Sequence, residues 1–294
     1  MRRTRRLGRV LWDAFNGFNG SNDGWSMAGF IAFSGLLSLF PFLIFAATLI
    51  GILVGQERSD EIIDALFRIA PPHVARTLEP VVIEVLGKQS REVLTISAVF
   101  AIWVASNAVE AFRIAFDRAY QVDDPRSFIQ NRALAIALVF LGAMVSALLG
   151  VSILLSPLIT SYADRLIPGT IPPLAGYITY VLGLGVLIAF LSVMHWTLPG
   201  IRMRGTRIWP GVLVTAVLWV VAATGFTIYL SFTPSYTVIY GTLSGVIITL
   251  MFFYITGATI IYGAEVNAAL DRQIRTENAR MLASLNLGAP WRSD

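Results

Sequence analysis

The chain has 294 residues, of which 56% are hydrophobic and only 14% are charged, and its mean hydropathy is +0.70. A soluble globular protein carries roughly a quarter of its residues as charged side chains. This composition therefore excludes a soluble enzyme, a secreted disulfide scaffold (there are no cysteines) and a disordered chain. The charges are clustered, and five charge-free runs separate the clusters: 24–56, 93–109, 133–163, 166–201 and 208–264.

The charge-free runs predict six membrane-spanning helices. A helix needs about 20 apolar residues to cross a bilayer. Four runs each hold one such helix, and the longest holds two, divided by the polar, proline-containing stretch 231–237. We therefore expect an all-α polytopic helix bundle, a single membrane domain over 1–294, with spans at 27–55, 93–112, 133–158, 174–196, 211–232 and 242–264.

The first 23 residues are predicted to form an amphipathic helix on the cytoplasmic side. Apolar residues recur there at helical spacing, with arginines around the helix start: Leu7, Val10, Leu11, Ala14, Phe15 and Phe18. Such a face either lies on the lipid headgroups or packs against the bundle, and the pattern leaves both interpretations open. Residues 57–92 are expected to form an external helical segment, and residues 265–294 a cytoplasmic tail.

The distribution of basic residues predicts the orientation. Sixteen of the 22 lysines and arginines fall in the N-terminal segment, the C-terminal tail, the loop after span four and the segment between spans two and three. The other six fall in the loops on the opposite side. Because basic residues accumulate on the cytoplasmic side of inner-membrane proteins, both termini are expected in the cytoplasm. The net charge of +4 follows from this asymmetry and requires no nucleic-acid partner.

Span one contains Pro41, which lacks an N–H and is expected to kink the helix. Ser34 and Ser38 lie on one face just before it. A kink of this kind either opens a polar cavity, as in transporters with interrupted helices, or is only structural. Both interpretations stay open.

The cytoplasmic end of span two places Ser106, Glu110, Arg113 and Asp117 on one helix face, where opposite charges can pair. Glu265 ends span six at a similar depth, near a helix C-terminus where an anion is disfavoured. We therefore expect Glu265 to have a cationic partner, with Arg113 or Arg118 as candidates. The group is either a structural clamp or a substrate or proton site, since ionisable groups in membrane spans are functional candidates.

Two further polar features carry weaker predictions. His195 lies near the cytoplasmic end of span four, where we expect a hydrogen-bonding role at the membrane interface. His73, the only other histidine, lies on the external side, so the pair cannot share a metal. Asp123 and Asp124 precede Pro125 and are expected to lie in a solvated loop.

A series of short motifs follows in order along the chain: Ser-Leu-Phe-Pro41, Trp103-Val-Ala-Ser, Ala119-Tyr120, Arg126-Ser-Phe128, Leu198-Pro199, Tyr240-Gly-Thr-Leu243, Tyr254 and Gly263-Ala-Glu265-Val-Asn267-Ala. In these motifs the chain resembles the YihY/BrkB family, formerly described as ribonuclease BN. The resemblance implies a bacterial inner-membrane protein with six helices and cytoplasmic termini. Members of that family are linked to serum resistance as virulence factors, to solute export, and to lipid or lipopolysaccharide-precursor transport.

Three functions follow as hypotheses. The first is transport of a lipid or other amphipathic, anionic solute through a polar cavity between spans one, two and six. Its predicted binding residues are Ser34, Ser38, Pro41, Ser106, Asn107, Glu110, Arg113, Asp117, Arg118, Arg126, Tyr240, Glu265 and Asn267, and the guanidinium groups would receive an anionic headgroup. The partners expected are membrane lipids and the solute, without nucleic acid, metal or other cofactor, and a homo-oligomer stays open.

The second hypothesis is a non-transporting scaffold or envelope-integrity factor. The third, a ribonuclease, is disfavoured, because metal-dependent hydrolysis needs clustered carboxylates or histidines and the sequence has no histidine pair. No catalytic residue is predicted, and the protein is not expected to be an enzyme.

Overall fold

The computed structural model describes residues 2–54, 91–145, 172–201, 208–232 and 243–286. Within these ranges the chain forms seven α-helices and no strand. The helices are α1 (Arg2–Asn16), α2 (Gly24–Val54), α3 (Arg91–Tyr120), α4 (Phe128–Val145), α5 (Pro172–Thr197), α6 (Trp209–Phe232) and α7 (Ser244–Asn286), with a π-helical turn (Gly17–Ser21) between α1 and α2. The predicted all-helical architecture is confirmed.

Four of these helices are long and apolar enough to cross a membrane. The qualifying segments are Ala98–Tyr120, Phe128–Val145, Trp209–Phe232 and Ser244–Met281. The described apolar parts of α2 and α5, Gly24–Leu39 and Gly183–Thr197, are shorter. The chain is therefore a helical membrane protein, while the count of six spans stays a prediction. α2 continues through Pro41, which is buried.

α7 is the central helix of the described bundle, packing against α1, α2, α3 and α6. The largest apolar cluster joins five helices, α3 to α7, through the buried side chains of Phe116, Leu138, Leu191, Val212 and Ile260. A second cluster joins α2, α3 and α7 around Ile31. This packing brings together the C-terminal end of α3, the C-terminal end of α5 and the middle of α7, which hold most of the predicted site residues.

α1 uses two faces. Val10 and Ala14 are buried against Val266 and Ala269 of α7. Leu11, Trp12 and Phe15 are exposed on another side, where the rings of Trp12 and Phe15 stack. The predicted apolar stripe is thus divided between packing on α7 and a face left open for the lipid interface.

Candidate functional site

A charge network lies at the C-terminal end of α3. The Arg113 Nε donates to Glu110 Oε2 at 3.0 Å, and its Nη1 donates to Asp117 Oδ2 at 2.6 Å. Side chains three or four residues apart face each other on a helix, so these pairs follow from the sequence. The predicted pairing along the helix is confirmed.

α3 stops at Tyr120, before the helix-breaking stretch Asp123-Asp-Pro125 is reached. Gln121 adopts a left-handed conformation with φ 55°. The N–H of Val122 donates to the Asp117 carbonyl, and that of Gln121 to the Arg118 carbonyl, each at 3.0 Å. These two bonds define a Schellman C-cap, which turns the chain back along α3.

The turn brings Asp124 against Arg113. Its Oδ2 accepts from Arg113 Nη1 at 2.9 Å, and its side chain is only 6% exposed. The expectation of a solvated loop at Asp123 and Asp124 is therefore wrong for Asp124. The physical reason is the left-handed residue at 121, which folds Asp124 into the network instead of into water.

Arg126 extends the network to the end of α5. Its Nε donates to Asp124 Oδ1 at 2.8 Å, while Nη1 and Nη2 donate to the carbonyls of Thr197 and Leu198 at 2.8 and 2.6 Å. These carbonyls belong to a helix C-terminus, where a cation is favourable. Asp117 Oδ1 accepts from the backbone N–H of Gly200 at 2.7 Å.

The group Arg113, Asp117, Asp124 and Arg126 is hereafter the charge clamp. It ties α3, the α3–α4 turn and the end of α5 together. Every member is paired within the clamp or with backbone, which favours the structural alternative for these four residues over direct substrate contact.

Asp124 is the clamp carboxylate that lies outside the helices. Burial by itself would raise the pKa of Asp124. Hydrogen bonds from the Arg126 side chain and backbone outweigh that effect and lower the pKa of Asp124 to about 2. The carboxylate is thus ionised under all ordinary conditions.

A groove of about 870 Å³ opens beside the clamp, between α3 and α4. Trp103 and Phe128 are exposed at its rim. Arg132 lies over the Trp103 ring, 3.8 Å from its centroid, and its Nη1 donates to Asn107 Oδ1 at 2.8 Å. The residues that line the groove are Trp103, Asn107, Glu110, Arg113, Ile114, Asp117, Arg118, Gln121, Val122, Asp123, Asp124, Arg126, Phe128, Asn131 and Arg132.

This groove does not lie between spans one, two and six, where the cavity was predicted. No described residue of α2 or α7 lines it. Where these helices meet, Ala28 and Ile31 of α2 are buried with Ala111 of α3 and Ile261 of α7 in one apolar cluster. Glu110, Arg113 and Asn107 do line the groove, so part of the predicted set converges there.

Glu265 forms a separate cluster and is completely buried. Its Oε1 accepts from Asn22 Nδ2 at 2.7 Å, and its Oε2 lies 3.8 Å from Arg272 Nη2 without a hydrogen-bond partner among the described residues. The expected cationic partner is present and is Arg272, whereas the two candidates, Arg113 and Arg118, are wrong. Arg113 belongs to the clamp, and Arg118 faces Asp23 at 3.7 Å.

The close approach of the π-helical turn explains this difference. Gly17 lies over Glu265, where a Cβ would stand 2.6 Å from Oε2. Glycine therefore lets the turn come near enough for Asn22 to reach the carboxylate, which keeps the α3 arginines away.

Asn267 and His195 form a third polar cluster, which is fully buried. Asn267 Nδ2 donates to the Ile208 carbonyl at 2.9 Å, and its Oδ1 accepts from the Gly211 N–H at 2.7 Å. The His195 Nδ1 lies 3.2 Å from Asn267 Nδ2, and its Nε2 lies 3.5 Å from Thr215 Oγ1. His195 thus bonds inside the bundle and not at the interface, and Asn267 fastens the start of α6 to α7.

The remaining predicted residues do not join these clusters. Ser38 and Ser106 donate to carbonyls of their own helices, those of Gly35 and Trp103. Ser34 and Pro41 are buried in α2. Tyr240 lies outside the described residues.

Sequence reasoning missed Asp124, Asn22 and Arg132 as site residues. Arg132 had a usable signal, because it is the last charge before the apolar run 133–163 and so lies at the membrane boundary. No comparable signal identified Asn22 and Asp124, because each reaches its partner through a chain reversal that the sequence pattern does not predict.

Helices of this length and hydropathy, with buried charges at their ends, define a polytopic membrane protein. The family model for virulence factor BrkB matches residues 17–284. The chain therefore belongs to the BrkB family, which confirms the family indicated by the motifs.

Relatives of the chain are bacterial. The ribonuclease-like protein YfkH of Bacillus subtilis is 30% identical over 258 residues, covering 86% of this chain and 92% of the relative. UPF0761 membrane proteins of Pseudoalteromonas translucida and Coxiella burnetii are 24% and 28% identical, covering 83% and 81% of this chain and 80% and 84% of the relatives. No solved structure matches the chain.

The Bacillus relative is named as ribonuclease-like, whereas the UPF0761 relatives are named only as membrane proteins. In the part of this chain that the structure describes, no three histidine, aspartate or glutamate side chains converge as metal ligands.

Proposed function

We propose that this protein carries a lipid or another amphipathic, anionic solute across the bacterial inner membrane, through a bundle of six spans with both termini in the cytoplasm. The groove between α3 and α4 is the proposed loading site. The asymmetry of basic residues supports the orientation. The ends of α3 and α4 beside the groove lie on the side with more basic residues, and in inner-membrane proteins that side faces the cytoplasm.

The composition of the groove is the observation that carries the proposal. Charged side chains form its floor, and Trp103 and Phe128 are exposed at its rim, 55% and 75%. The groove lies where the charge-free part of α3 ends and that of α4 begins. A molecule with a charged headgroup and an apolar tail matches this division, since its tail stays in the bilayer while its headgroup reaches the floor.

The clamp and the groove have different roles in this proposal. Arg113 and Arg126 are occupied by carboxylates and carbonyls, and they hold the ends of α3, α4 and α5 in place. Arg118 is half exposed, and Arg132 is held only by neutral partners, Asn107 and Trp103. These two arginines are the proposed headgroup contacts, because guanidinium binds phosphate in a bidentate manner.

Lipid flux in proteoliposomes tests the proposal. Purified wild-type protein is expected to move a fluorescent anionic phospholipid between leaflets faster than protein-free liposomes. Arg132→Gln is expected to reduce this flux roughly ten-fold, the loss of about one charged hydrogen bond. Arg275→Gln is the control, since it removes the same charge from an arginine of α7 that does not line the groove and that pairs with Asp271 at 2.6 Å.

The scaffold alternative predicts that wild-type liposomes behave like protein-free ones, and that result would end the transport proposal. An equal reduction by both arginine variants would contradict the loading site while leaving transport in place. Thermal unfolding of each variant in detergent separates a lost contact from a lost fold.

A further inference from the structure

Two polar atoms in the α3–α4 groove are buried without hydrogen-bond partners among the described residues: Asn131 Oδ1, an acceptor, and Arg132 Nε, a donor. Both residues line the groove. Buried polar atoms are nearly always paired in native proteins, and each one left unpaired costs about 1–3 kcal/mol. A ligand that supplies a donor and an acceptor side by side would satisfy both.

Both side chains are fixed before any ligand arrives. Asn131 is only 8% exposed and hydrogen-bonds to Asp124 of the charge clamp. Arg132 is held against the Trp103 ring and donates to Asn107 Oδ1 and the Trp103 carbonyl. The two open atoms are therefore preorganised, a condition that lowers the entropy cost of binding.

The charge of the groove also selects its ligand. The eight charged side chains in the lining are balanced, with four acidic (Glu110, Asp117, Asp123 and Asp124) and four basic (Arg113, Arg118, Arg126 and Arg132). A lining without net charge complements a ligand that is itself neutral overall. A zwitterionic headgroup can direct its phosphate to the arginines and its cation to the carboxylates.

We infer that the groove binds a zwitterionic phosphoester headgroup that carries N–H donors, of the phosphoethanolamine class. The phosphate accepts from Arg132 Nε, and the ammonium donates to Asn131 Oδ1. The inference rests on the proposed function for the location of the site, and it refines the anionic solute proposed there to a zwitterion. It requires binding but no movement across the membrane.

The source of the headgroup is a membrane lipid. Phe128 and Ile129 are more than 70% exposed at the start of α4, and Trp103 is exposed opposite. Exposed apolar side chains at a bilayer boundary accommodate acyl chains. A soluble ester of the same headgroup would leave this rim unused.

Phosphatidylethanolamine and phosphatidylcholine form a matched pair of probes. They share charge and phosphate, and they differ in that the choline nitrogen carries no N–H. Native mass spectrometry of the full chain in detergent, titrated with either lipid, is expected to show roughly five-fold tighter binding of phosphatidylethanolamine, the effect of one hydrogen bond. Equal binding of the two lipids would overturn the inference.

Two variants separate the two contacts. Asn131→Leu is expected to bring the ratio between the lipids to about one, a readout that partial loss of folded protein does not change. Arg132→Lys, which keeps the charge but loses Nε, is expected to weaken both lipids equally, several-fold. Arg275→Lys, on α7, is the control and is expected to match wild type. Unchanged binding in Arg132→Lys would refute the phosphate contact.

Soluble glycerophosphoethanolamine tests the source. It is expected to bind at least ten-fold more weakly than the lipid, because it has no acyl chains for the rim. Equal affinity would refute the assignment to a lipid. If phosphatidylethanolamine is preferred but proteoliposomes show no flux, the binding inference stands and the transport proposal fails. If proteoliposomes show flux but the two lipids bind equally, the transport proposal stands and the binding inference fails.

Discussion

Asp124 is the residue on which the charge clamp depends, because it contacts both Arg113 and Arg126. Its carboxylate is nearly inaccessible to water, and the arginines compensate for that burial. Removing one partner of such a buried pair leaves an uncompensated charge, which is more costly than the pair is stabilising.

The lowered pKa of Asp124 predicts a specific pH dependence. A folded-state pKa of about 2 lies below the ordinary value of 3.8, so the ionised carboxylate contributes stability above about pH 4, and that contribution is lost as the pH falls toward 2. The effect amounts to about 1–2 kcal/mol. Thermal unfolding of wild type and Asp124→Asn in detergent is expected to show a difference in Tm that narrows from pH 5 to pH 2. A difference that stays constant over this range would contradict the ionised clamp.

The residues of the clamp differ in how far the sequence could predict them. Glu110, Arg113 and Asp117 pair within one helix, so their spacing is sufficient. Asp124 depends on the Schellman cap at Gln121, where the usual glycine is absent. The Glu265–Asn22 contact joins residues 243 apart, and local patterns carry no information about such pairs.

At the scale of helices, the contact between α6 and α7 is closest at two glycines. A Cβ on Gly211 would overlap the carbonyl oxygen of Gly263 and the side chain of Asn267. Small residues at helix interfaces in membranes let backbones approach closely, and packing there drives association. The Asn267 hydrogen bond to the Gly211 N–H depends on this approach.

Gly211→Ala is therefore expected to destabilise the protein by about 1–3 kcal/mol, because one backbone must move away from the other. Gly225→Ala, on the same helix, has no atom within 4 Å of the added Cβ. It is expected to be neutral or to stabilise by up to about 1 kcal/mol, the helix-propensity difference. Thermal unfolding in detergent measures both. Equal effects of the two substitutions would contradict the close contact of α6 and α7.

Hydropathy was sufficient to predict the helices but not their contacts. Charge-free runs of membrane length favour helices, because a helix pairs the backbone groups of one segment within that segment. Which faces meet depends on side-chain shape at positions such as Gly17 and Gly211, and apolar residues surround these helices on all sides. A cavity was for this reason predicted between spans one, two and six, whereas the groove beside the charge clamp lies between α3 and α4.

At the scale of the whole molecule, the clamp and the groove lie at the ends of the charge-free segments, and the interior of the described bundle holds the His195 and Glu265 clusters. The proposed orientation places the groove on the cytoplasmic leaflet. A BrkB-family protein built in this way would take its ligand from that leaflet, with α3 and α4 as the walls and the clamp as the support.

Photo-crosslinking of lipid at the groove rim tests this account most directly. A photoreactive amino acid at Phe128 is expected to capture phospholipid in cells at several-fold higher yield than the same residue at Val217, a lipid-exposed position on α6 (75% and 63% exposed). The captured lipids at position 128 are expected to be enriched in ethanolamine headgroups. Equal yields with the same lipid composition at both positions would show that the groove is ordinary lipid-facing surface and would contradict the account.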